Sequence, residues 1–145
     1  MSRPAAPRRC YGAQMDHIER IYREWDARNR ASDVEGIVAL YAEDAVFESP
    51  LVRPLMKADR GMLHGRDELR AFFAQLAARP LTSRRYHRKG YLTDGRVLFW
   101  EYPRETPEGE QTDLVEVMEI ADGLIQRHRV YWGWIGVRNL EKKGT

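Results

Sequence analysis

Two segments near the end of the 145-residue chain alternate apolar and polar positions with a period of two, and each carries on its more apolar face one group able to move a proton. In residues 112–120, Leu114, Glu116, Met118 and Ile120 share one face, opposite Asp113, Val115, Val117 and Glu119. In residues 124–134, Leu124, Gln126, His128, Val130, Trp132 and Trp134 alternate with Ile125, Arg127, Arg129 and Tyr131. The register of this hairpin depends on Ala121-Asp122-Gly123. A three-residue loop with a left-handed glycine sets Ile120 opposite Leu124 and Glu116 opposite His128, whereas a two-residue Asp-Gly turn sets Glu116 opposite Arg129. The first is the expectation, because it joins two apolar sets that a one-residue slip would separate. A carboxylate and an imidazole side by side on an apolar face can do acid-base work: burial raises the pKa of the acid, and the acid raises that of the imidazole. A buried pair that only satisfies itself is the alternative use of the same residues.

Around this candidate catalytic pair, Trp25, Trp100, Met118, Val130 and Trp132 are candidate walls of a substrate pocket, since aromatic and long apolar side chains either fill a core or line a cavity within it. Ser49 and His64 are further substrate-binding candidates, His64 because it stands on a turn and Ser49 because it alternates with Glu48, so that only one of the two faces inward. Glu101 and Tyr102 pose the same choice. Asp44 reads as a turn residue, and His17 lies on the polar side of a helix. His64, His87 and His128 match no local metal-ligand spacing, so neither a metal nor a cofactor is expected.

The elements that must position these groups follow from periodicity. Ile18, Ile21, Tyr22 and Trp25 mark one face of a first helix from Met15 to Arg30. Ser32-Asp33-Val34-Glu35 is a capping box opening a second helix that ends near Ala42. A strand follows at residues 45–50, then a loop at 51–61 able to close as a lid, a short strand at 62–65, and a third helix carrying Leu69, Phe72, Phe73 and Leu76 up to Arg79-Pro80. From there the period changes to two. Residues 86–92, 96–102, 112–120 and 124–134 read as an antiparallel meander. The class is α+β, with the helices covering one face of the sheet.

Composition narrows the possibilities. Apolar residues at 43% and charged residues at 32% suit one globular domain of this length, expected over residues 15–138 between a disordered tail at 1–14 and a C-terminal tail at 139–145. A net charge of +2 recruits no polyanion, and the cluster Arg84-Arg85-Tyr86-His87-Arg88-Lys89 fits the wet face of a strand, so nucleic acid is not an expected partner. No apolar run approaches the roughly 20 residues of a membrane span, and no signal-like stretch follows the Arg- and Pro-containing start, which makes the cytoplasm the expected address. The single cysteine, Cys10, forms no internal disulfide.

Three stretches carry a resemblance: residues 39–50 (Ala39-Leu40-Tyr41-Ala42-Glu43-Asp44-Ala45-Val46-Phe47-Glu48-Ser49-Pro50), the turn Leu63-His64-Gly65, and Ala121-Asp122-Gly123-Leu124-Ile125 before a strand. On these the chain resembles the nuclear transport factor 2-like superfamily, in its SnoaL-like polyketide cyclase and ketosteroid isomerase branch. The resemblance implies a cone: a strongly curved, mainly antiparallel sheet around three N-terminal helices, with an apolar pocket open at one end and frequent homodimerisation through the outer face of the sheet. Val97, Phe99, Val115 and Val117 supply apolar side chains to such a face. Ser49 stands where ketosteroid isomerases have their aspartate base, and Trp25 where they have the oxyanion tyrosine. Glu116 aligns with their second oxyanion acid and Trp132 with an aromatic wall. Val130 replaces the acid that epoxide hydrolases of the superfamily carry. Neither of these two activities is therefore expected. What remains is a cofactor-independent cyclase, isomerase or dehydratase moving a proton on a hydrophobic carbonyl compound with His128 and Glu116, or a non-catalytic ligand-binding or dimerisation module of the same shape.

Overall fold

In the computed structural model, which describes residues 8–79, 89–101, 104–105 and 109–143, the apolar face read along the first helix forms the spine of the core. Helix α1 (Arg8–Arg30) buries Ile18, Ile21 and Trp25, and sets Glu19 with Arg23, Glu24 with Arg28 and Asp26 with Arg30 one turn apart on its wet side. Such exposed pairs contribute about 0.3–0.5 kcal/mol each, so the buried face is what holds the helix. It starts at Arg8, directly after Pro7 and within the expected tail, and no proline interrupts residues 8–30.

Ser32, with a left-handed φ of 55°, reverses the chain after α1. Asp33, rather than Ser32, caps helix α2 (Val34–Val38) by accepting from the Gly36 amide at 2.9 Å, while Glu35 turns to Arg70 instead of closing a capping box. This helix ends short of Ala42, since Tyr41 already belongs to strand β1 (Tyr41–Glu48). Nor are residues 51–61 simply a loop: they contain helix α3 (Val52–Met56), anchored by buried Val52 and Leu55 and closed by left-handed Lys57. Strand β2 (Met62–His64) then turns at Gly65, φ +78°, into helix α4 (Gly65–Ala77), which buries Leu69, Phe72 and Phe73.

The remaining strands are β3 (Leu92–Thr93), β4 (Val97–Glu101), β5 (Arg104–Glu105), β6 (Gln111–Thr112), β7 (Leu114–Ala121) and β8 (Leu124–Trp132), followed by helix α5 (Trp134–Lys143). Of the expected strand at 86–92 only Leu92 is strand, in β3; residues 89–91 are irregular, and residues 86–88 lie outside the described ones, as do most of the basic cluster and Tyr102. Six strands form one curved, unclosed sheet in the order β2-β1-β8-β7-β4-β3, and β5 pairs with β6 apart from it. The meander is antiparallel, and β1 joins β8 in parallel, which makes this the mixed α+β cone of the nuclear transport factor 2-like fold. Helices α3 and α5 are additions to the three helices expected. The last of them occupies residues read as strand end and tail, and Gly133 marks the switch by donating its amide to Asp113 at 2.7 Å.

The last hairpin follows neither expected register. Asp122 and Gly123 make a two-residue turn with Ala121 opposite Leu124, and one extra residue, Gln126, bulges between the pairs Ile120 with Ile125 and Glu119 with Arg127. Glu116 consequently faces Val130, and His128 faces Met118. The two-residue turn sets Ile125 inward in place of Leu124, and the bulge after it returns His128 to the same concave face as Glu116.

Candidate active site

Glu116 and His128 are diagonal neighbours across β7 and β8, and the imidazole Nε2 lies 2.5 Å from the Glu116 carboxylate. The second ring nitrogen, Nδ1, lies 2.7 Å from the phenol oxygen of Tyr41, and that oxygen accepts from the Trp25 indole N–H at 3.2 Å. One proton arrangement satisfies every member. Nε2–H donates to the ionised carboxylate, Tyr41 O–H donates to Nδ1, and Trp25 N–H donates to Tyr41, so the imidazole is neutral. The chain is sealed: His128 and Tyr41 are 0% exposed and Glu116 is 2% exposed. Burial holds the Tyr41 phenol well above its usual pKa, the Trp25 hydrogen bond opposes this, and the Glu116 charge adds to it.

Each member is placed by a different element. Parallel pairing of β1 with β8 brings Tyr41 beside β8, where its backbone precedes an irregular stretch of β1. Arg66 of α4 donates two guanidinium N–H groups to the Tyr41 carbonyl, at 2.8 and 2.7 Å, and so ties the start of β1 to α4. Rings close the rest: Phe47 meets His128 edge-on with centroids 4.9 Å apart, Trp25 does so at 5.7 Å, and Trp100 meets Trp25 at 5.6 Å.

Of the residues singled out from sequence, His128, Glu116, Trp25, Trp100 and Met118 are brought together and buried; Val130 and Trp132 continue the same face half-buried. Ser49 is buried, but its hydroxyl accepts from the Leu51 amide at 3.2 Å, which commits it to the turn before α3. His64 is exposed and pairs across to Val46, away from the pair. Glu101 is exposed and Trp100 faces in. Tyr41 is the member that sequence reasoning missed. Its spacing from Val34, Ile37 and Val38 suits one helix face as well as a strand, and only the long-range pairing with β8 decides. The expected open pocket is not what surrounds His128: at zero exposure no water-sized space touches it. A hollow of about 340 Å³ instead lies on α1 between Asp16, Glu19, Arg20, Arg23 and Glu24, where it is charged. Among the described residues no group of three His, Cys, Asp or Glu is placed to hold a metal.

A family profile for the SnoaL-like domain matches residues 18–128, a span that holds every member of the hydrogen-bonded chain. The chain belongs to the SnoaL-like domain family. Solved structures agree on the fold. A nuclear transport factor 2-like protein of unknown function from Mesorhizobium loti is 19% identical, with 90% of this chain and 97% of that one covered, at a TM-score of 0.64. A SnoaL-like protein of unknown function from Burkholderia thailandensis is 16% identical over 81% and 95% of the two chains, at 0.62. The epoxide hydrolase/cyclase-like enzyme SalBIII, described in pyran ring formation in the polyether salinomycin, is 20% identical over 84% and 94%, at 0.58. No curated protein matches the sequence. Among the described residues of this SnoaL-like chain, no helix is long and apolar enough to cross a membrane.

Proposed function

We propose that this SnoaL-like protein binds a hydrophobic carbonyl compound against the concave face of its sheet and moves a proton on it through Glu116 and His128, as a cofactor-independent cyclase, isomerase or dehydratase. The observation that carries the reading is the continuous buried chain Trp25–Tyr41–His128–Glu116. Glu116 is the base nearest the half-buried end of that face. His128 relays and shares the proton it gains, and Tyr41 fixes the tautomer that lets the imidazole do so. The similarity to a cyclase-like enzyme supports the class of chemistry. Complete burial of the pair also suits a second reading, a non-catalytic ligand-binding or dimerisation module whose polar chain only specifies the core.

The test is native mass spectrometry of protein purified from its host, with extraction of any retained compound, followed by turnover of that compound by wild type, Glu116→Gln and His128→Gln. Turnover lost in both folded variants, with binding kept, supports catalysis. Unchanged turnover, or retention without any turnover, supports the module. The same reading includes a homodimer through the outer face, where Leu92, Phe99 and Tyr131 are exposed, and a cytoplasmic address. A monomeric mass by light scattering across micromolar concentrations contradicts the dimer.

A further inference from the structure

Past Glu116, the concave face ends on the row formed by Leu114 and Trp132. Leu114 is buried and Trp132 only partly so, packed against the core. The indole Nε1 of Trp132 is nonetheless shut off from solvent and has no hydrogen-bond partner. Buried donors are almost always paired, so an orphaned one marks a place where something is missing. Helix α5 does not supply it. Gly136 approaches the opposite edge of the ring, where a Cβ on that glycine would stand 2.7 Å from Cε3. The helix is also loosely seated: Gly136 is its only buried residue among the described ones, Ile135, Val137 and Leu140 are half-buried, and Trp134 is 71% exposed.

We propose that the Trp132 indole N–H is the hydrogen-bond donor for the ligand's carbonyl oxygen, at the half-buried end of the concave face, one row from Glu116 and on the edge of the ring away from Gly136. The proposal rests on the ligand-binding reading above and adds to it the group that selects the ligand. An N–H only donates, so its partner is an acceptor. The apolar side chains of Leu114 and Val130 around it favour an uncharged oxygen on an apolar body, and the nearby Glu116 carboxylate disfavours an anionic one. Access comes from this end, because Val130 and Trp132 keep partial exposure where His128 and Met118 have none.

The test compares 2-acetylnaphthalene with 2-ethylnaphthalene, two probes of like shape that differ in the acceptor. Wild type is expected to bind the ketone about fivefold or more tighter by calorimetry. Trp132→Phe is expected to lose that preference while keeping its affinity for the hydrocarbon. In wild-type protein the indole N–H resonance of Trp132 should move downfield with the ketone and not with the hydrocarbon, a readout that needs no folded variant. Equal binding of both probes, a preference that survives in Trp132→Phe, or an unmoved resonance overturns the role of Trp132 and leaves the ligand-binding reading intact. Binding of neither probe overturns both.

Discussion

The two ends of the concave face are built in opposite ways. Around His128, every ring nitrogen, hydroxyl and carboxylate has a partner, aromatic rings close the gaps, and α4 is pinned onto β1 through Arg66. Around Trp132, a donor is left unpaired, the facing helix buries only a glycine among its described residues, and the neighbouring side chains keep partial exposure. The contrast teaches that a fully paired end and a loosely packed end coexist on one sheet; under the proposed function, proton geometry belongs to the first and ligand access to the second. A chain of hydrogen bonds holds its directions only where water and motion are excluded, and a ligand enters only where packing gives way.

The strongest break is at the sealed end. His128→Ala strands the buried Glu116 charge and the Tyr41 hydroxyl, and urea unfolding should show a loss of about 3–5 kcal/mol. Glu116→Met combined with His128→Leu removes the acid and the imidazole together, leaves the Tyr41 hydroxyl as the stranded group, and should cost about 1–3 kcal/mol. A double variant as unstable as His128→Ala would show that the pair is not the origin of the cost.

Tyr41→Phe comes next, at about 1–3 kcal/mol, because it takes the donor from His128 Nδ1 and removes the hydrogen bond between the Trp25 indole and the phenol oxygen. Its effect has a pH signature. The folded phenol is held above its ordinary value of 10.0, so the stability it contributes is complete below that value and is lost as pH rises toward the folded pKa. The stability difference between wild type and Tyr41→Phe should therefore shrink above pH 10.0. A difference that is flat with pH contradicts the buried phenol.

How much of this was legible beforehand follows the same division. The face of α1, the buried side of α4 and the alternation within β7 follow from local periodicity, which burial enforces, whereas Glu116 and His128 meet as diagonal neighbours through a register that neither reading of the turn contained. What stayed hidden depends on contacts distant in sequence. The Ile125 amide bonds to the Leu40 carbonyl at 2.9 Å, so β8 starts with Ile125 turned inward, and only an extra residue at Gln126 lets His128 face inward as well. Neither that bulge nor the strand placement of Tyr41 has a mark in its own neighbourhood. Helix α5 was obscured differently: alternation along 124–134 runs into it without interruption, and the stop at Gly133 is made by a tertiary hydrogen bond.

At the open end the expected effects are smaller. Gly136→Val pushes a side chain against the Trp132 ring, and should cost about 1 kcal/mol overall while hydrogen exchange across α5 rises sharply and that of β8 near His128 does not. Exchange that rises equally at both ends contradicts their separation. The smallest effect belongs to a site remote from both. The Asp94 carboxylate accepts from the Val97 and Arg96 amides at 2.8 Å each, which holds its pKa below the ordinary 3.8. Its contribution is present above that value and lost as pH falls through the lower folded pKa. The gap between wild type and Asp94→Ala should accordingly close on acidification from about pH 6 to about pH 2, followed by thermal unfolding.

The central claim is that His128 is a neutral relay between Tyr41 and Glu116, and nitrogen-15 NMR of the histidine side chains reads it directly. The account predicts a single His128 tautomer at neutral pH, with Nε2 protonated and slow to exchange and Nδ1 showing the shift of a hydrogen-bond acceptor, and it predicts that Tyr41→Phe moves the Nδ1 shift. Averaged tautomers exchanging freely with water, as in a solvent-exposed imidazole, would contradict it.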